Sequence, residues 1–125
     1  MIVLDSSGWI EVLTEGQNYN IFAPCVGVAK ELLVPTIILY EVTKYLQIWG
    51  DDKILFNALS AMRQATIVPL TETIAINAAT QSRIYKLAMA DSIILATSHI
   101  LNATLWTQDK HFKDIEGVKY FSKEV

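Results

Sequence analysis

One cysteine, two histidines and three prolines stand in 125 residues, and each scarcity removes a class of protein. Cys25 has no second cysteine to join, so the chain forms no internal disulfide, which suits a reducing, cytoplasmic setting. Its neighbours Ala23, Pro24 and Val26 make it a small core residue. So few cysteines and histidines leave no Cys/His set for a zinc site. Charged residues are scarce too, at 18% against the roughly 25% of an ordinary domain. Cations are the scarcer sign, with 10 Lys and Arg against 13 Asp and Glu and a net charge of −3. A nucleic-acid binder normally carries a basic face. A nucleic-acid substrate here would need local basic side chains and bound cations to hold it.

Long apolar runs are also missing. None approaches the ~18 residues of a membrane span, and the stretch from Leu33 to Tyr40 is broken by Pro35. The opening MIVLDSSG has no basic start and carries an early acid, unlike a secretory signal. No G-x-x-x-x-G-K or G-x-G-x-x-G loop occurs, which excludes nucleotide binding of that kind.

Apolar residues are abundant, at 52%. A chain of this length is one ordinary domain, residues 1–125, able to bury a core without staples. So apolar a chain is expected to keep a surplus on its surface, in a dimer interface or a partner groove. Short apolar runs mark the strands: Ile2-Val3-Leu4, Leu32-Leu33-Val34, Thr66-Ile67-Val68, Thr104-Leu105-Trp106 and Val118 to Phe121. Their uniform character suits a parallel sheet covered on both faces. Helical patterns lie between them. Ser6 or Ser7 caps the first, which Gly16 ends, and Pro24 opens the second as its first residue. Thr36 caps the third, to about Trp49. Asp51 or Asp52 caps the fourth, and Thr71 the fifth, to about Lys86. The sixth runs from near Asp91 to near Asn102. This alternation implies a three-layer α/β/α domain with right-handed crossovers.

In such a sheet, ligands bind beyond the carboxyl ends of the strands. Asp5 follows the first strand and Asp109 the fourth, so both project from that edge. Glu41 stands in the first turns of the third helix, near the same edge, with Lys44 on its face. Asp91 opens the sixth helix and is aligned with Ile94 and Leu95, a face that should be buried. Singly, each acid has an ordinary role as cap, turn or surface residue. Together, four carboxylates converge in a chain that spends few charges elsewhere. Like charges that close need protons or cations between them. Oxygen-only ligands suit Mg²⁺ or Mn²⁺, and two such ions serve phosphodiester hydrolysis.

Four segments resemble the motifs of the PIN-domain nucleases, and among them the short VapC-type toxins of prokaryotic toxin–antitoxin pairs. Ile2-Val3-Leu4-Asp5-Ser6-Ser7 is similar to the opening strand and first acid. Leu39-Tyr40-Glu41-Val42 resembles the second motif, and Ala90-Asp91-Ser92-Ile93-Ile94-Leu95-Ala96-Thr97 the third. Thr107-Gln108-Asp109-Lys110-His111-Phe112 resembles the fourth. The order and spacing cover nearly the whole chain. The departures are mild: Ser98 stands where alanine is commoner, and Lys44 where arginine often stands. The resemblance implies a four- or five-stranded parallel sheet, Mg²⁺ or Mn²⁺, and cleavage of single-stranded RNA. For the toxin branch it also implies a homodimer and a small antitoxin that plugs the site.

Asp5, Glu41, Asp91 and Asp109 are thus the expected catalytic residues and metal ligands, with Asp5 and Asp109 central. No side-chain nucleophile is required. Ser6 and Thr107 are expected to orient carboxylates or water, while Ser7 is assigned to the helix cap. Lys44, Arg83, Lys86 and Lys110 are the candidates for phosphate contact. Glu11, Glu15, Asp51, Asp52 and Glu72 fit caps or helix surfaces. Trp9, Trp49 and Trp106 read as core or interface, and His99 as a helix-surface or partly buried residue without a role. Phosphoaspartate enzymes would also place Asp5 after the first strand. Their phosphatases want a second Asp two residues later, where Ser7 stands, and receiver domains want one after the third strand, where Val68-Pro69 has none. The remaining alternatives are a catalytically silent PIN-like module that binds protein or RNA, and a housekeeping RNA-processing nuclease.

Overall fold

The computed structural model describes residues 1–123. Five parallel strands form its sheet: β1 (Ile2–Leu4), β2 (Leu32–Pro35), β3 (Thr66–Val68), β4 (Thr104–Thr107) and β5 (Val118–Tyr120), in the order β3-β2-β1-β4-β5. The register is set from the centre, where Val3 of β1 lies opposite Leu33 on one side and Leu105 on the other. Helices flank the sheet in an α/β/α arrangement: α1 (Ser6–Leu13), α2 (Tyr19–Gly27), α3 (Thr36–Trp49), α4 (Asp52–Gln64), α5 (Glu72–Tyr85) and α6 (Met89–Ile100). None of the described helices is long and apolar enough to cross a membrane.

The strand order reverses direction once. The chain steps outward from β1 through β2 to β3, then crosses back to β4 on the other side of β1. The carboxyl ends of β1 and β4 therefore flank the switch point, where open α/β sheets bind ligands.

Most of the core packs Trp9, Phe22, Leu32, Ile38, Leu46, Met62, Leu95 and Phe112 around Val3, Leu4 and Leu105. A smaller cluster joins Ile74 and Ala78 of α5 to Ile93 and Ala96 of α6. Each large side chain so buried contributes about 1.5–3 kcal/mol.

Several local expectations need correction. The inner strands are covered as expected, but Thr66 and Ile67 of β3 and Lys119 of β5 are exposed, because these are edge strands with one partner each. Pro24 does not open α2 and lies inside it. Phe22 and Cys25, one face of that helix, are buried in the core, and this packing outweighs the hydrogen bond that proline forfeits. Neither Ser6 nor Ser7 caps α1; the Asp5 carboxylate does, accepting from Gly8 N at 3.0 Å. Thr36 is the first residue of α3 rather than its cap. Asp51 and Thr71 do cap their helices, accepting from Ile54 N and Ile74 N. Trp9 is core, but Trp49 is 75% exposed at the end of α3. Glu11 is no surface residue: it is buried, with Lys123 Nζ at 2.9 Å.

The apolar surplus is on the surface, as the composition implied. Tyr40, Ile48, Trp49 and Phe56 are exposed on α3 and α4, and Ile76, Ile84 and Met89 on α5 and α6.

Candidate active site

β1 ends at Leu4, so Asp5 leaves the sheet at the switch point, buried. Three groups donate to its carboxylate: Ser7 Oγ at 2.7 Å and Gly8 N at 3.0 Å to Oδ1, and Thr107 Oγ1 at 2.6 Å to Oδ2. Burial still dominates and pushes the carboxyl up to about 6, against those three hydrogen bonds and with the added repulsion of Asp109.

Thr107 is the last residue of β4 and fully buried. Its hydroxyl donates to Asp5 and accepts from the Asp109 backbone N–H at 2.9 Å. One side chain thus ties the two strand ends together and fixes the loop carrying Asp109. That carboxylate caps the short 3₁₀ turn Lys110–Phe112, accepting from His111 N at 2.9 Å.

Asp91 lies in the first turn of α6, two residues after the helix begins at Met89. Its carboxyl is also pushed up to about 6, by burial first and then by the charges of Asp109 and Glu41, while His111 opposes the rise. Glu41, on the second turn of α3, accepts from Ser6 Oγ at 3.0 Å. Asp109 therefore acts on both Asp5 and Asp91, and Glu41 on Asp91. The four acids expected from the sequence share one site. Ser6 donates to Glu41 and Thr107 to Asp5. Ser7, assigned to the cap, instead supports Asp5 directly.

His111, to which the sequence assigns no role, also reaches the site. Its Nδ1 lies 3.1 Å from Asp109 Oδ1 and 3.9 Å from Asp91 Oδ2. Its signal in the sequence is its position, two residues after the acid in the turn that follows β4.

The basic residues are less concentrated. Lys44 is one turn beyond Glu41, with its Nζ 5.8 Å from the centre of the Tyr40 ring. The two share a groove with Glu41, Tyr45, Ile48 and Trp49. Lys110 is exposed in the turn beside Asp109. Arg83 and Lys86 are exposed at the end of α5, and no contact ties them to the acids.

Among the described residues, no lysine or arginine pairs with any of the four acids. One buried carboxyl, Asp5, and one partly buried one, Asp91, both pushed up to about 6 beside two more acids, are a strong demand for positive charge. Donor atoms of Asp91, Asp109 and His111 all lie within 4.8 Å of one another. Oxygen donors in this number suit Mg²⁺ or Mn²⁺. The residues present fit a divalent cation.

Solved structures with the same fold are numerous. A toxin–antitoxin complex from Klebsiella pneumoniae aligns with a TM-score of 0.82 at 21% identity, covering 98% of this chain and 100% of that one. VapBC2 from Rickettsia felis, bound to a DNA fragment from its promoter, aligns at 0.72 and 16% identity, covering 99% and 100%. FitAcB from Neisseria gonorrhoeae aligns at 0.70 and 25% identity, covering 89% of each chain. No curated protein matches the sequence. The family model of the PIN domain matches residues 2–118, and with the four acids at the switch point this chain belongs to the PIN-domain family.

Proposed function

We propose that the chain is a metal-dependent endoribonuclease that cleaves single-stranded RNA, and the toxin of a toxin–antitoxin pair. The observation that carries the nuclease reading is the meeting of Asp5, Glu41, Asp91 and Asp109 with no lysine or arginine among them. Asp5 and Asp109 would hold Mg²⁺ or Mn²⁺, with Asp91 and Glu41 completing the ligand set directly or through water. When bound, the cations supply Lewis acidity, acidifying water and neutralising charge on a phosphodiester. The chain's own part is to orient the carboxylates by hydrogen bonds. Ser7, Gly8 and Thr107 do so for Asp5, and Ser6 for Glu41. Ribose 2′-hydroxyls and unstacked bases are the features by which single-stranded RNA is recognised.

The test compares single-stranded RNA, the same RNA in a duplex, and single-stranded DNA, each with Mg²⁺ and with EDTA. Cleavage confined to single-stranded RNA with Mg²⁺ is expected. Cleavage that survives EDTA, or that ignores the sugar, would sink the assignment.

Thr107→Val keeps the shape of the side chain and removes both of its hydrogen bonds. We expect the rate to fall about 10–100-fold, the usual loss when a group orienting a metal ligand is removed. Losing a donor to the ionised form raises the Asp5 carboxyl further, so activity should also begin at higher pH than in the wild type. An unchanged pH profile would mean that Thr107 serves only the fold.

Lys44 stands one helical turn from Glu41 and is a candidate for phosphate contact. Lys44→Glu should flatten the salt dependence of RNA binding, by about 0.7 in the log–log slope for one lost single-strand contact. An unaltered slope would remove Lys44 from the binding surface; the same measurement applies to Lys110 and Arg83.

The toxin reading is supported by the toxin–antitoxin complex from Klebsiella pneumoniae that shares the fold, and by the groove of Tyr40, Lys44, Ile48 and Trp49 beside Glu41. An antitoxin would lay an apolar segment along that groove and place a basic side chain among the carboxylates, displacing metal. A complex that keeps its metal would contradict this. Ile76, Ile84 and Met89 add exposed apolar surface on α5 and α6, and we assign part of this surplus to a homodimer, which sedimentation at micromolar concentration tests.

A further inference from the structure

We infer that His111 is a nitrogen ligand of the metal centre, through Nδ1, and that it tilts the site towards Mn²⁺ over Mg²⁺. The inference rests on the nuclease reading and adds a fifth residue to its metal site.

The geometry is local and tightly specified. Asp109 caps the turn Lys110–Phe112 by accepting from His111 N. Phe112, fully buried, anchors the turn in the core. The imidazole is therefore held over the carboxylate that caps it, although 68% of its side chain is exposed. An octahedral ion with donors at about 2.0–2.1 Å sets neighbouring donors about 3 Å apart and opposite ones about 4 Å apart. Nδ1 stands 3.1 Å from Asp109 Oδ1 and 3.9 Å from Asp91 Oδ2. Both separations from Nδ1 match those of a shared ion, and the three donor atoms all lie within 4.8 Å of one another. In the tautomer that carries its proton on Nε2, the ring offers the Nδ1 lone pair to the ion and meets solvent water with Nε2–H.

The choice of donor has a chemical consequence. A cluster of carboxylates alone suits Mg²⁺ and Mn²⁺ alike, whereas imidazole nitrogen suits the transition metals. One nitrogen among the oxygens therefore favours Mn²⁺. The other histidine, His99, lies in the last turn of α6, at the opposite end of that helix from Asp91, and its Nε2 is 2.7 Å from the Glu116 carbonyl. It supplies no competing signal.

Pulsed electron paramagnetic resonance on the Mn²⁺-loaded full chain tests this, beside the His111→Gln variant and a competition titration of Mn²⁺ against Mg²⁺. The wild type should show the nitrogen coupling of a directly bound imidazole, absent from the variant. The preference for Mn²⁺ should fall about 10-fold in the variant, the lower end of the losses seen when metal sites lose a supporting group. Wild-type chain that binds Mn²⁺ without nitrogen coupling would overturn the inference and leave the nuclease reading standing, with His111 a charge partner of the two acids. Wild-type chain that binds neither ion would overturn the metal-dependent reading itself.

Discussion

Asp5→Asn should abolish activity and, in the absence of metal, raise the thermal midpoint at pH 7 by roughly 8 °C, the equivalent of about 2 kcal/mol in a chain of this size. The two effects have one cause. Burial lifts the Asp5 carboxyl from 3.8 to about 6, so the folded chain holds that proton more tightly than the unfolded chain does. The contribution of the group to stability is fully present below about 3.8 and is lost as pH rises through about 6. At pH 7 the buried charge costs about 3 kcal/mol. An amide removes that cost and still caps α1 with its oxygen. Its Nδ2 then meets Thr107 Oγ1, which must accept where it formerly donated, an exchange costing about 1 kcal/mol. Divalent metal reverses the order of the two proteins, because only the wild type gains from binding it. Thermal unfolding of both chains at pH 5 and pH 7, with EDTA and with Mn²⁺, checks each sign. A variant less stable than the wild type in EDTA at pH 7 would show that the Asp5 charge is already balanced within the protein.

Lys123→Met should cost about 2 kcal/mol at pH 7, below the 3–5 kcal/mol of a fully buried pair because solvent screens the lysine. Glu11 is 3% exposed, whereas the Lys123 side chain is 47% exposed. Burial alone would raise the Glu11 carboxyl. The hydrogen bonds from Lys123 and Asn18 N, with the lysine charge, outweigh it and hold the group below its ordinary value of 4.5. A depressed carboxyl contributes stability that is present above 4.5 and is lost as pH falls through its folded-state value. The gap between wild type and variant should therefore narrow in acid. Pairing Lys123→Met with Glu11→Gln should recover most of the loss, since the amide needs no counter-charge. Urea unfolding of the four proteins of this cycle measures it. Additive effects of the two substitutions would mean that the pair contributes nothing.

The frame of this molecule is written locally, and the sequence is legible to that extent. Ile2-Val3-Leu4 and Thr104-Leu105-Trp106 are strands by composition, and the acid after each is placed by the strand itself. Asp5 and Asp109 therefore stand where a reader of the chain would put them. Glu41 and Asp91 follow from helical spacing. Legibility ends where distant groups decide the outcome. Glu11 looks like any acid on a helix; its partner Lys123 is 112 residues away. A Cβ at Gly16 would collide with the Glu11 carboxylate, so that glycine provides close approach, while the left-handed turn after α1 falls to Glu15. Pro24 favours a first turn, whereas the burial of Phe22 and Cys25 sets α2 and places that proline inside it. The relevance of His111 lies in a turn geometry that residue spacing does not encode.

The most direct measurement is the cleavage of a mixed RNA pool at pH 7 with Mg²⁺ or Mn²⁺ by the wild type and four single variants: Asp5→Asn, Glu41→Gln, Asp91→Asn and Asp109→Asn. Each substitution keeps the shape of its side chain and removes one charge from the cluster. All four variants should stay folded, and all four should lose the metal-dependent cleavage shown by the wild type. Full cleavage by the Asp5 or Asp109 variant, or cleavage by every protein alike in EDTA, would contradict the assignment of this cluster as the catalytic centre.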